Sequence, residues 1–110
     1  MSSFRKATKM EISSDTTFET SDNIAWRNIN EEVVILNLKS GEYFTLNDVG
    51  QVIWLAITDK NNIGEIRQKI VDTFDVSPEN AVRDIDNFLT GMLKEGLLHE
   101  SVFNQKPEGG

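Results

Sequence analysis

The sequence predicts an α+β domain in which a three-stranded antiparallel sheet precedes three helices. Three observations lead there. Between residues 24 and 46 the apolar side chains come in short β-branched and aromatic runs broken by turn residues. From residue 47 onward they recur every three or four positions, the helical spacing. The periodic stretches open on Asn47, Asn62 and Ser77, all residue types that cap helix N-termini. Strands first and helices second suit a sheet packed against a small helical bundle.

Residues 24–29 (IAWRNI) read as the first strand, with Asn30, Glu31 and Glu32 as the turn after it. Residues 33–38 form the second. Val34, Leu36 and Leu38 share one face, and Val33 and Ile35 make the other apolar as well. Lys39, Ser40 and Gly41 connect it to a third strand at 42–46, glycine supplying the left-handed conformation of a hairpin turn. In that third strand Tyr43 and Thr45 point one way, Phe44 and Leu46 the other. Phe44 is expected to be buried and Tyr43 partly exposed.

Asn47 caps the first helix, whose apolar face is Val49, Val52, Ile53, Ala56 and Ile57. Trp54 is expected to pack helix against sheet. After a polar loop at 58–62, Asn62 and Glu65 stand at capping-box spacing before the stripe Ile63, Ile66, Ile70, Val71 and Phe74. Ser77-Pro78-Glu79 starts a third helix carrying Ala81, Val82, Ile85, Phe88, Leu89, Met92 and Leu93, with Gly96 as its stop. Gly91 inside it costs about 1 kcal/mol relative to alanine. Either another element approaches closely there, or the imperfection is tolerated. Leu97 and Leu98 are placed to pack back on the core. The second and third helices, joined by a short turn, look like a helix-turn-helix.

This divides the chain into a disordered arm at 1–22, a domain at 23–100 and a flexible tail at 101–110. Phe4, Met10, Ile12 and Phe18 follow no period in the arm. Ile12 and Phe18 are its candidate anchors, and a docking tail for a partner enzyme is its functional alternative.

A length of 110 residues fits one domain with a workable core. Without cysteine, disulfides, thiolate catalysis and cysteine-bound metals are excluded. A reducing, cytoplasmic setting is compatible with that. No apolar run approaches the roughly 20 residues of a bilayer span, and the N-terminus lacks a signal-peptide core. The net charge of −7 opposes nucleic-acid phosphates and anionic membranes, and the one basic cluster is Arg5, Lys6 and Lys9. Neither nucleic acid nor membrane is an expected partner.

Catalytic chemistry is missing. The single histidine, His99, follows the third helix, which makes a triad a poor reading of the serines. Asp84 and Asp86, two apart on a helix, do not face each other. Glu31 and Glu32 sit in a turn, and no glycine-rich phosphate loop is present. Neither metal, cofactor nor catalytic residue is expected. The chain reads as a binding module.

One ordered set of residues sharpens this. Gly41, Tyr43, Phe44, Leu46, Asn47, Gly50, Ile53, Trp54 and Leu55 spell G-x-Y-F-x-L-N-x-x-G-x-x-I-W-L. Glu65-Ile66, Phe74-Asp75-Val76, Asp84-Ile85, Phe88-Leu89 and Gly96-Leu97-Leu98 continue it, so that about residues 24–99 are covered. The set resembles the PqqD-like family, the RiPP recognition elements, which bind ribosomally made precursor peptides for the enzymes that modify them. The resemblance implies a winged-helix-like fold with the strands ahead of the helices. It also implies an open third strand, to which the precursor's leader segment adds as a further strand beside the third helix.

Carried over, Glu42, Tyr43, Phe44, Thr45 and Leu46 supply main-chain pairing. Val82, Arg83, Asp86 and Leu89 are the candidate pocket residues on the third helix. Val82 and Leu89 also belong to that helix's apolar stripe, so a core role competes with a groove role for both. The implied partners are the leader peptide and a modifying enzyme, in this family often a radical-SAM protein, expected here to act in trans. The domain itself is expected as a monomer or weak homodimer.

Two other functions compete. In a winged-helix DNA-binding regulator, 78–95 would be the recognition helix, yet there Arg83 and Lys94 are outnumbered by Glu79, Asp84, Asp86 and Glu95. A generic protein-interaction adaptor is the third reading.

Overall fold

The structure, a computed structural model, describes residues 14–101. Its elements are β1 (Phe18–Thr20), β2 (Ile24–Ile29), β3 (Glu32–Asn37), β4 (Tyr43–Thr45), α1 (Asp48–Thr58), α2 (Ile63–Phe74), α3 (Pro78–Lys94) and β5 (Leu98–Glu100). The expected α+β architecture is present: β2, β3 and β4 form an antiparallel sheet in that order, followed by three helices.

Local chemistry explains the joints. Asn30 and Glu31 both take positive φ, 52° and 66°, as a two-residue hairpin matched to strand twist requires. Between β3 and β4, the Asn37 side chain accepts from the backbone N–H groups of Lys39 and Ser40, and Gly41 takes the left-handed φ of 78°. The Asn47 side chain accepts from Gly50 N at 2.8 Å and starts α1. Gly96, at φ 74°, ends α3 in a Schellman turn: its own N–H donates to Leu93 O, and the Leu97 N–H donates to Met92 O.

The core lies between the inner sheet face and the helices. Val33 and Ile35 of β3 meet Ile53, Trp54 and Ile57 of α1, Ile66 and Ile70 of α2, and Leu89 of α3, all fully buried. Trp54 packs edge-to-face against Trp26 of β2, with ring centroids 6.0 Å apart. Leu97 and Leu98 do pack back into this core.

The N-terminal arm is where expectation and structure part. Residues 14–20 are docked on the domain. Phe18 is a core residue, and β1 pairs antiparallel with β5, Phe18 opposite Glu100 and Thr20 opposite Leu98. The carbonyls of Thr16 and Ser14 accept from the Ile63 and Gly64 N–H groups, while Asn62 and Glu65 complete a capping box. Every donor in the first turn of α2 is thereby satisfied. Three-residue strands whose partners lie about eighty positions away leave no local period to read. At the other end Ser101 is buried and donates its N–H to Thr17 O, so the docked part extends into the expected tail. Ile12 and the rest of the tail lie outside the described residues. Among those described, no helix is long and apolar enough to cross a membrane, and no cluster of His, Asp and Glu could hold a metal ion.

Candidate functional site

β4 is an end strand, and its second edge is unpaired among the described residues. Register decides which groups that edge presents. Asn37 N donates to Glu42 O at 2.9 Å, so these two residues form a hydrogen-bonded pair. Bonded and non-bonded pairs alternate along an antiparallel ladder. Ile35–Phe44 is therefore bonded, and Leu36–Tyr43 and Val34–Thr45 are not. The N–H and C=O groups of Tyr43 and Thr45 point away from β3, toward the open border.

α3 packs mainly on α1, α2 and β5, and no strand pairs with that border among the described residues. Its orientation is fixed at Gly50, which is buried in the first turn of α1. A Cβ there would stand 3.3 Å from Phe88 Cε1 and 3.4 Å from Leu46 Cβ. Phe88 of α3 and Leu46 just after β4 thus meet at one corner, both half-buried. A helix turns about 100° per residue, which puts Glu95, Asp84 and Gly91 within about 60° of Phe88, on the flank nearest β4.

The strand residues lie together at this corner. Tyr43 is 71% exposed, Thr45 and Glu42 are exposed, and Phe44 and Leu46 pack partly on the core. Glu42 turns its carbonyl to β3, so it adds nothing to the open edge on that side. The helix residues do not converge with them. Leu89 is fully buried. Val82, Arg83 and Asp86 lie about 120°, 140° and 160° around α3 from Phe88, and Arg83 donates to Asn80 Oδ1 at 3.1 Å. The residue that the structure adds to this corner, and that sequence reasoning did not single out, is Phe88. Its signal was Gly50, a glycine inside a helical apolar face that leaves room for a large neighbour.

The charges around the corner are acidic. Glu42 and Asp48 flank the strand, Asp84 and Glu95 stand on the near flank of α3, and residues 42–50 contain no lysine or arginine. Such a border repels phosphate. On the outer sheet face Ala25, Ile29, Val34, Leu36 and Tyr43 line a shallow apolar depression around Arg27.

With this geometry in view, the comparisons with known proteins are specific. The family model for coenzyme PQQ synthesis protein D (PqqD) matches residues 32–98. This chain belongs to the PqqD family. The PqqD match runs from β3 to the start of β5 and so holds both β4 and α3, with β1 and β2 outside it. Two solved structures share the fold. One is TbiB1 in complex with the TbiA(β) leader peptide, at 32% identity, covering 74% of this chain and 94% of the other with a TM-score of 0.70. The second is lasso peptide synthetase B1 complexed with the leader peptide, at 26% identity, 74% and 96% coverage and a TM-score of 0.70. No curated protein matches the chain.

Proposed function

We propose that this PqqD-family domain binds the leader segment of a ribosomally synthesised precursor peptide and presents it to a modifying enzyme. The observation that supports the reading most is the open edge of β4, with the main-chain groups of Tyr43 and Thr45 directed outward beside α3. A visiting strand pairs there. Its alternate side chains fall on the side of Phe44 and Leu46, toward the Phe88 flank of α3, and the others fall beside Tyr43 and Thr45. Four main-chain bonds at about 1 kcal/mol net each are largely consumed by association entropy. One or two buried apolar side chains of the peptide, at about 1.5–3 kcal/mol each, supply the rest and select the sequence.

In this reading Asp84 and Phe88 take the wall position that Val82 and Asp86 hold in the sequence-based expectation. The domain does no chemistry of its own, works in the cytoplasm, and is a monomer or weak homodimer. Its partner is a peptide-modifying enzyme. The enzyme and its radical-SAM class follow from the family resemblance, while the two similar structures, both leader-peptide complexes, support the peptide as the ligand.

Titration of the ¹⁵N-labelled chain tests this, with the TbiA(β) leader and with peptides selected from a random display library. Amide shifts are expected at residues 42–46 and at Asp84, Phe88 and Gly91. Shifts spread evenly over the domain, or none with either probe, would remove the proposal.

A further inference from the structure

Gly91 stands in the interior of the 17-residue helix α3, where glycine weakens a helix more than any residue but proline. Nothing in the described fold requires it. A Cβ built at Gly91 meets no atom of the described residues within 4 Å, whereas one at Gly50 or Gly64 has at least three atoms within that distance. Those two glycines are explained by the chain's own close approaches, from Phe88 and Leu46 in one case and from Ser14 in the other. Gly91 has no such neighbour. Its position is not neutral either. It lies one turn beyond Phe88 on the flank of α3 nearest the β4 border, about 60° around from it.

We infer that Gly91 is a specificity-determining position of the peptide groove: the missing side chain leaves a notch beside Phe88 that receives an apolar side chain of the visiting strand. This rests on the peptide-binding reading of the β4 border and adds to it where the peptide is read on α3. The main-chain pairing at Tyr43 and Thr45 tolerates many sequences, since it uses groups common to every peptide. Discrimination must come from the opposite wall. A wall of Phe88 with bare helix backbone one turn along has a shape that one bulky side chain fills. A methyl or larger group at position 91 occupies that space before the peptide arrives. The helix gains by the change and the complex loses, so folding and binding respond in opposite directions.

The experiment uses the full chain and four proteins: wild type, Gly91→Ala, Gly91→Leu and, on the far side of α3, Thr90→Ala. The probes are the TbiA(β) leader peptide and the tightest binder selected on wild type from a random 20-residue display library. Gly91→Ala is expected to raise the melting temperature by about 4 °C or more. It is also expected to weaken peptide binding roughly tenfold, with Gly91→Leu weaker still. Thr90→Ala leaves the affinity within about twofold. Wild-type binding with Gly91→Ala and Gly91→Leu unchanged would overturn the notch and leave the strand-addition reading standing. Failure of wild type to bind any peptide from either source would overturn both. Loss of binding together with a lowered melting temperature would mark Gly91 as a folding residue and overturn the inference.

Discussion

The two ends of this domain treat unpaired backbone in opposite ways. At the N-terminus of α2 the chain satisfies every donor itself. Thr16 and Ser14 carbonyls take two N–H groups, a capping box takes two more, and β1 closes on β5 beside them. At β4 the outward groups of Tyr43 and Thr45 have no strand partner among the described residues, next to an apolar corner of Leu46 and Phe88. Exposed strand edges invite pairing with other chains, and proteins usually cover or blunt them. A chain that closes one border with an N-terminal strand, and leaves the outer edge of β4 unpaired among the described residues, has on the proposed reading a stabilising border and a receiving one. That division can be tested from both sides.

The largest effect is expected where the chain closes on itself. Phe18→Ala removes a buried ring from the core and loosens β1 from β5. A loss of about 3–5 kcal/mol is expected, read as a lower midpoint in chemical denaturation. At a temperature where the variant is still folded, its peptide affinity stays near that of wild type. Parallel loss of binding would show that the two borders are one cooperative unit.

Proline separates the two sides of β4 itself. The Phe44 N–H faces β3 and the Thr45 N–H faces outward. Phe44→Pro deletes a ladder bond and is expected to unfold the sheet, at about 3 kcal/mol or more. Thr45→Pro deletes only an outward donor, a place where edge strands accept proline. Its fold is expected to remain, within about 1.5 kcal/mol, while peptide affinity falls roughly tenfold through one lost hydrogen bond and a blocked strand path. Circular dichroism and calorimetric titration of the same samples decide it. Equal affinity for Thr45→Pro and wild type would place the peptide elsewhere.

The β4 border was more legible in the sequence than the β1–β5 one. Asn47, Gly41 and the alternation through Tyr43, Phe44 and Thr45 are local signals, each acting on neighbours within three or four positions. The fold class and the strand–helix corner therefore follow from short-range chemistry. β1 does not. Its evidence is spread over strand partners about eighty positions apart, Phe18 opposite Glu100 and Thr20 opposite Leu98. The flank of α3 sits between these cases. Helical periodicity identified the apolar stripe of α3 but not which edge of the stripe turns toward β4. That depends on the crossing of α3 over α1 at Gly50, a tertiary contact. Hence the sequence-based choice fell on Val82 and Asp86, on one edge of the stripe, while Phe88, on the other, is the residue that meets Leu46 at Gly50.

The smallest expected effect settles that last point. Val82 is 39% exposed and about 120° around α3 from Phe88. Val82→Ala removes little packing, and stability is expected to stay within about 0.5–1 kcal/mol, with peptide affinity within about twofold. Phe88→Leu keeps an apolar side chain of smaller reach at the corner, so the fold tolerates it at a cost of about 1 kcal/mol. Its peptide affinity is expected to drop several-fold, because the ring edge no longer fills the space between Leu46 and the visiting side chain. The comparison holds helix and charge constant and changes only the flank. Should Val82→Ala weaken binding and Phe88→Leu leave it unchanged, the peptide would run along the other side of α3, and the open edge of β4 could not be what aligns it.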